Sequence, residues 1–438
     1  MKTYKEAIRY LDSLVNYEKK GFKGGESFGL GNMRSALDLL GSPEDSFRCI
    51  HVAGTKGKGS VSVFAFSILR QAGMKTGLYT SPHLLSPRER IRLDGKDISE
   101  KDFAEGVFYL RRRLPRRILE KITYFEFLTL LAFWYFRKKK ADAAVLETGM
   151  GGRLDATNAV NSEVSVITPV SYDHTKILGK SLGKIAFEKA GIIKRRSVCV
   201  CSSQKRTALG IIKDSCRGKK ARLILYGADI KAKVKEFSAE GSSVDIITPF
   251  GVYRNCRVGL AGLFQAENAA LAAAAAGAFY KLVKRNEISS EAVKKGITKA
   301  FIPCRFEVLA ENPVTVADGA QNAASCRVLA SSVRKIFGPR KVILIAAFCS
   351  DKDIKGSCRA LRAIADTVVA TRARTARAAD PSEIAGYFPG KNVMIARGAE
   401  EALAISKKMA GKNDIVLAAG SLYLAGEIRS LVKRKKRK

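Results

Sequence analysis

Three groups of residues have the types and spacing for phosphoryl-transfer chemistry. The first is HVAGTKGKGSV, in which Gly54, Thr55, Lys56, Gly57, Lys58, Gly59 and Ser60 follow an apolar run. The strict phosphate-loop pattern is absent, because Val52 stands where the first glycine belongs and Gly59 intrudes before Ser60. The physical arrangement survives. Glycines let backbone N–H groups turn toward an anion, a following helix adds its positive end, and Lys58 supplies a mobile ammonium. The second group comprises Ser81 in YTSPHL and Glu147 in AAVLETGMGGRLDATN, the latter followed by Gly149, Gly151, Gly152, Arg153, Asp155, Thr157 and Asn158. The third is Asp173 and His174 at the end of VSVITPVSYDHTKILG. A hydroxyl, a carboxylate and an imidazole beside a phosphate loop can hold magnesium, which prefers oxygen ligands and shares its substrate's phosphates. Taken singly, Ser81 reads as a turn former, Glu147 as a helix cap and His174 as a core histidine. Their coincidence at strand ends points to a site.

The elements that must carry these residues alternate. FRCIHVAG, TGLYT, ADAAVLET, EVSVITPV and SVCVCSS are strand-like runs separated by helical text or glycine turns. This alternation predicts a doubly wound α/β sheet, whose ligand crevice lies at the carboxyl ends of its strands. From Arg222 to Gly259 short alternating runs suggest a small antiparallel section, followed by the alanine-rich helix LFQAENAALAAAAAGAFYKLV. Close packing explains its alanines; Gln265 and Asn268 alone invite a functional reading. Near FIPCRFEVL the alternation restarts with VTVADG, KVILIAAFC, TVVATRA, KNVMIAR and DIVLAAGS. We therefore expect an ATP-binding domain over residues 1–301, a smaller Rossmann-like α/β domain over 302–432, and a disordered basic tail over 433–438. A ligand cleft is expected between the two domains.

A chain of 438 residues is too long for one core, in keeping with two domains. Its nine cysteines are scattered, apart from Cys199 and Cys201, and form no zinc or disulfide framework. Reduced thiols and the absence of a signal core or a spanning segment favour a cytoplasmic protein. The net charge of +37 raises the rival of a nucleic-acid-binding ATPase. Its basic residues are dispersed, with clusters at Arg111–Arg117 and Arg137–Lys140 that lack an aromatic-studded ribbon, so nucleic acid is not the expected partner. A positive field also steers polyanionic small substrates.

GTKGKGS, YTSPHLLSPRERI, TYFEFLTLLAF, LETGMGGRLDATNAV, SYDHTKILGKSLGKIAFEKAGIIK, LAGLFQAENAA, PCRFEVL, DGAQNAAS and AAGSLYLAGEIR occur in order along nearly the whole chain. They resemble successive blocks of the folylpolyglutamate synthase and dihydrofolate synthase branch of the Mur ligase superfamily. FGLGNMRSALDLLGSP resembles that branch's opening. Only about 50 residues precede the loop, too few for the separate uridine-nucleotide domain of a cell-wall ligase.

The resemblance implies an ATP-dependent ligase that joins a folate or pteroate carboxylate to L-glutamate through an acyl phosphate, working as a monomer. It gives Lys58 and the surrounding amides the β- and γ-phosphates. Ser81 and Glu147 receive one magnesium ion, His174 and Glu147 a second, and Lys189 becomes a carbamate. Asn268 meets the adenine, Arg305 the phosphates and Asp318 the ribose, while Arg153, Gln321 and Ser421 line the substrate side. Two departures stand out. Where the family reads DGAHNP this chain has Gln321 for the histidine and Ala323 for the proline, and Cys304 replaces the glycine before Arg305. Glutamine keeps a donor and an acceptor but cannot become cationic.

Overall fold

β1 (Arg48–Ala53), the strand leading into the phosphate-loop segment, lies in the middle of a sheet because five of its six residues are buried and it needs neighbours on both edges. The structure, a computed structural model, describes residues 3–20, 29–238, 241–260, 262 and 264–435. Phe28, which begins the expected opening block, Ala261 and Leu263 of LAGLFQ, and residues 436–438 of the expected tail lie outside the described residues.

The chain divides into two compact units, one made of Met1–Val234, Val244–Val258 and Phe264–Ala300, the other of Lys235–Ser243, Gly259–Leu263 and Phe301–Lys438. In the first, β1 is joined by β2 (Thr76–Tyr79), β3 (Ile91–Leu93), β4 (Lys96–Asp97), β5 (Ala143–Glu147), β6 (Val164–Ile167), β7 (Val198–Cys201) and β8 (Arg222–Leu225). Their order is β4-β3-β2-β5-β1-β6-β7-β8. β2, β5, β1, β6, β7 and β8 run parallel, while β3 and β4 form an antiparallel edge. Successive chain segments thus pass to opposite sides of β1, and the sheet is doubly wound as expected.

The run from Arg222 to Gly259 departs from expectation at its start. β8 adds in parallel to β7 as the sheet's outer strand, and the small three-stranded sheet begins later, with β9 (Lys231–Ser238), β10 (Gly241–Thr248) and β11 (Gly251–Val258). A four-residue apolar run does not reveal which sheet it joins; the free edge of β7 decides it.

Two faces of the large sheet are covered differently. Helices Tyr4–Ser13, Glu100–Arg113 and Tyr124–Lys138 build one aromatic-rich core, in which Phe127, Phe133 and Phe136 are wholly buried. Helix Lys58–Gln71 is buried at every position from Ser60 to Leu69, as expected of a helix enclosed on all sides. It packs against helices Phe264–Lys284 and Ser290–Lys299, where Gly296 meets the backbone of Ile68 so closely that a Cβ would lie 2.4 Å from its Cα. Ala269–Ala276 are all fully enclosed apart from no more than trace exposure, so close packing accounts for the alanine run. Among the described residues no helix is long and apolar enough to cross a membrane.

The second unit holds β12 (Glu307–Glu311), β13 (Val314–Ala317), β14 (Val342–Ala346), β15 (Thr367–Ala370), β16 (Asn392–Ile395) and β17 (Ile415–Ala419) in the order β12-β13-β17-β14-β15-β16. All neighbours are parallel except β12 with β13. The last helix, Leu422–Lys435, runs on through residues expected in the tail, and Lys433 pairs with Glu307 at 3.1 Å. Opposite charge on β12 extends helical order into what composition alone marks as a solvated run.

Candidate functional site

The carboxyl ends of the adjacent parallel strands β2, β5, β1 and β6 bring Ser81, Glu147, the glycine loop and the approach to Asp173 to one edge of the sheet. Register fixes this, since Val52 lies opposite both Glu147 on β5 and Val166 on β6.

The loop is built on positions closed to other residues. Gly54 has φ 151°, and a Cβ there would fall 1.8 Å from Thr168 Oγ1. Gly57 has φ 87°, and a Cβ would fall 2.6 Å from Asn268 Oδ1. Gly54→Ala is therefore expected to lower unfolding stability by roughly 3 kcal/mol or more. The control Gly210→Ala, where nothing lies within 4 Å of the added Cβ in helix Arg206–Gly218, should stabilise by about 0.5–1 kcal/mol in the same denaturant titration.

Lys58 opens helix Lys58–Gln71, and its Nζ donates to Gly54 O at 3.2 Å. Lys189, on helix Leu182–Ala190, donates to the same carbonyl at 2.8 Å. Lys189 is 3% exposed, and burial, with the Lys58 charge beside it, pushes its amine down to about 7. Asp173 and Asp155 partly oppose that shift.

Glu147 is 6% exposed, and Gly59 leaves open the space in front of its carboxylate, where a Cβ would stand 3.6 Å from Oε2. Ser81 N donates to Glu147 Oε2 at 3.2 Å. Glycine loop, carboxylate and serine are thus assembled. His174 sits apart in character, capping the four-residue helix Thr175–Leu178 at φ 48°, with its side chain 42% exposed and Nε2 3.7 Å from Asp173 Oδ1. Among the described residues no three His, Cys, Asp or Glu side chains gather to hold a metal, so Glu147, Asp173 and His174 form no such group.

The other candidates have definite partners. Asn268 and Gln265 are buried and joined, Asn268 Nδ2 donating to Gln265 Oε1 at 2.9 Å. Asn268 Oδ1 also fills the space a Cβ on Gly57 would need, so it lies against the phosphate loop itself. Arg153 grips Glu188, through Nη2 at 2.9 Å and Nε at 3.1 Å, and lies over the ring of Phe187. Asp318 accepts from Phe306 N at 2.8 Å and Ala320 N at 2.7 Å, and burial raises its carboxyl above the ordinary range despite Arg305. Arg305 is exposed and Gln321 half-buried before helix Ala323–Phe337. Ser421 is 1% exposed, its hydroxyl accepting from Tyr423 N and Leu424 N at the start of the last helix, which is a capping geometry. Cys304 has φ 57°, the left-handed region in which glycine is favoured, so the family's glycine there has a backbone reason.

Sequence reading left several residues without a role. Thr168 closes the space behind Gly54, a long-range contact with no local signal. Asp155 accepts from Met150 N and Thr157 N, and Thr157 Oγ1 donates to it. Thr157 Oγ1 then accepts from Nε2 of His51, whose burial holds it neutral. That chain braces the GGRLDATN turn against β1; its Asp-x-Thr spacing was a readable turn signal.

Known proteins define the class. Residues 52–276 match the Mur ligase middle domain and residues 304–422 the Mur ligase glutamate ligase domain. The dihydrofolate synthase/folylpolyglutamate synthase of Bacillus subtilis (strain 168) is 33% identical, over 94% of this chain and 96% of that protein. A probable bifunctional folylpolyglutamate synthase/dihydropteroate synthase of Haloferax volcanii is 33% identical over 98% of this chain, which spans 50% of it. The structure of Mycobacterium tuberculosis folylpolyglutamate synthase complexed with ADP superposes with a TM-score of 0.88 at 29% identity, covering 98% of each chain. Escherichia coli FolC in complex with DHPP and ADP gives 0.86 at 27%, covering 99% of this chain and 98% of that one. The chain belongs to the folylpolyglutamate synthase/dihydrofolate synthase branch of the Mur ligase superfamily.

Proposed function

We propose that this protein is an ATP-dependent ligase joining the carboxylate of a folate, a tetrahydrofolate polyglutamate or dihydropteroate, to L-glutamate. The observation that carries the reading is the meeting of the glycine loop, buried Glu147 and Ser81 at the strand ends of a chain related end to end to such enzymes. A carboxylate is a poor electrophile. One of its oxygens attacks the γ-phosphorus of ATP, the bond to the β-phosphate oxygen breaks, and ADP leaves. The glutamate amine then attacks the acyl carbon, loses a proton, and expels phosphate.

Lys58 and the loop amides are placed to oppose negative charge on the transferring phosphoryl group, mainly by preorganised electrostatics. Glu147 and Ser81 fit magnesium: both side chains carry oxygen donors, and Gly59 leaves open the space before the buried Glu147 carboxylate for phosphate oxygens. The ion would supply positive charge against those oxygens. His174 belongs to a second such position in the same reading, and Lys189 carries a carbamate. Asn268, Arg305 and Asp318 take the adenine, phosphate and ribose contacts, and Arg153, Gln321 and Ser421 the substrate side. Ser421 serves there through the helix end it caps. A cytoplasmic monomer with small-molecule partners completes the proposal.

Glu147→Gln is expected to keep the Ser81 N bond, since an amide oxygen also accepts, yet raise the half-saturating magnesium concentration roughly tenfold or more. An unchanged magnesium titration would count against the assignment. The function itself is tested by ADP release from ATP and magnesium with dihydropteroate or tetrahydrofolate, together with mass spectrometry of the product. ADP release that needs both a pterin acceptor and glutamate, with product heavier by one glutamyl residue, is the expected result. Release indifferent to both but stimulated by RNA or DNA would overturn it.

A further inference from the structure

Arg90 is a charged side chain, 1% exposed, that the reaction as described does not use. Burying a guanidinium costs several kcal/mol unless its donors are met. Here Nη1 and Nη2 grip both oxygens of Glu18, at 2.8 Å and 2.5 Å, and the ring of Tyr124 lies 5.6 Å beneath. A third donor, Nε, points to His83 Nδ1 at 2.8 Å. An arginine N–H can only donate, so His83 Nδ1 accepts and the imidazole carries its proton on Nε2.

This cluster surrounds the Ser81 turn. Arg90 O accepts from Thr80 N at 3.0 Å. Ser81 N is held by Glu147. The carboxylate of Glu89 takes Leu84 N, Leu85 N and Ser86 N at 2.8, 3.0 and 2.9 Å. Residues 80–86 are therefore pinned at nearly every polar point, and Arg90 holds the His83 ring. Glu18 brings in helix Tyr17–Lys20, and Tyr4 OH adds a second contact from the opening segment, 3.1 Å from Ser86 Oγ.

We propose that Arg90, seated on Glu18, is a positioning residue for ligation: through His83 it fixes the Ser81 turn against Glu147, and so ties the opening segment of the chain to the phosphoryl-transfer site. The inference rests on the function proposed above for its kinetic consequence, but the clamp itself does not. A two-point grip on a short turn is the kind of support whose loosening by an ångström costs one to two orders of magnitude in rate.

Arg90→Lys keeps the charge but cannot serve Glu18 and His83 together; Glu18→Gln keeps the arginine and removes its counter-charge. Hydrogen exchange of the Ser81 and His83–Ser86 amides is expected to accelerate roughly tenfold or more in Arg90→Lys, with other sheet amides unchanged. In ligation assays kcat should fall roughly 10- to 100-fold while KM for ATP moves less than threefold. Glu18→Gln should show the same pattern more weakly, and the double variant should lose no more than Arg90→Lys alone, because both act through one grip. If Arg90→Lys does not fold, Glu18→Gln carries both measurements. Wild-type exchange at residues 81–86 in the folded variants would overturn the clamp whatever the activity. Faster exchange with unchanged kcat would overturn its part in catalysis. An inactive wild-type chain would overturn the functional reading instead, leaving the exchange result to decide the clamp.

Discussion

Lys58→Ala is expected to abolish ligation while leaving the fold intact. The lysine stands at the first position of a helix whose burial begins at Ser60, and among the described residues its ammonium makes one bond, to Gly54 O. That carbonyl keeps a donor when Lys58 is lost, because Lys189 Nζ also reaches it. Little packing disappears, so the melting temperature should stay within a few degrees. Catalysis is different. A cation fixed beside the phosphate cradle acts where charge develops on the transferring oxygens, and loss of one such preorganised donor costs roughly 10²–10³ in kcat. Single-turnover formation of ADP and product mass measure this directly, and normal turnover would sink the phosphate-loop reading. The substitution has a second expected effect. The Lys58 charge helps depress the Lys189 amine, so removing it should move Lys189 back toward its ordinary range.

What the sequence made legible was what repeats locally. Period and apolar runs locate β1, β2, β5, β6, β13 and β17, and the residues at the carboxyl ends of β1, β2 and β5 mark the loop, Ser81 and Glu147. The strict phosphate-loop spacing failed, yet strand, glycines and helix followed one another as the physics of anion binding needs. Long-range partners were not legible. Nothing near Arg90 in RERIRL announces that Glu18, 72 residues earlier, will take its guanidinium. Nor does a helix-opening serine such as Ser421 declare whether its hydroxyl faces a substrate or caps its own helix; only the bonds from Tyr423 N and Leu424 N decide for capping. Strand-end position and the family resemblance both group His174 with Glu147, but neither shows that a left-handed turn at φ 48° leaves its ring half exposed beside Asp173.

Lys189→Ala is expected to be nearly inactive and to be partly rescued by short carboxylic acids. In the folded chain the amine sits near 7, against about 10.4 in an unfolded chain. Between those values the unfolded state binds more protons than the native one, so stability rises with pH across that window and is flat below it. The rise from this group is on the order of 4 kcal/mol, and Lys189→Met should remove it from a stability profile taken between pH 7 and 10. The same depression makes a neutral, nucleophilic amine abundant near neutrality. On the function proposed above, its nitrogen would attack the carbon of carbon dioxide, lose a proton and become a carbamate, turning a cation into an anion. Lys58, which disfavours an ammonium there, favours an anion. The bond from Lys189 to Gly54 O is given up, but Lys58 still serves that carbonyl. An anion so held can orient a metal-bound or phosphate-side ligand, which is why acetate or formate entering the space vacated in Lys189→Ala should restore part of the rate. Full activity in Lys189→Ala, or an unmodified Lys189 in an ATP complex crystallised with bicarbonate, would refute the carbamate. Loss of the pH slope in Lys189→Met would still stand as the signature of the buried amine.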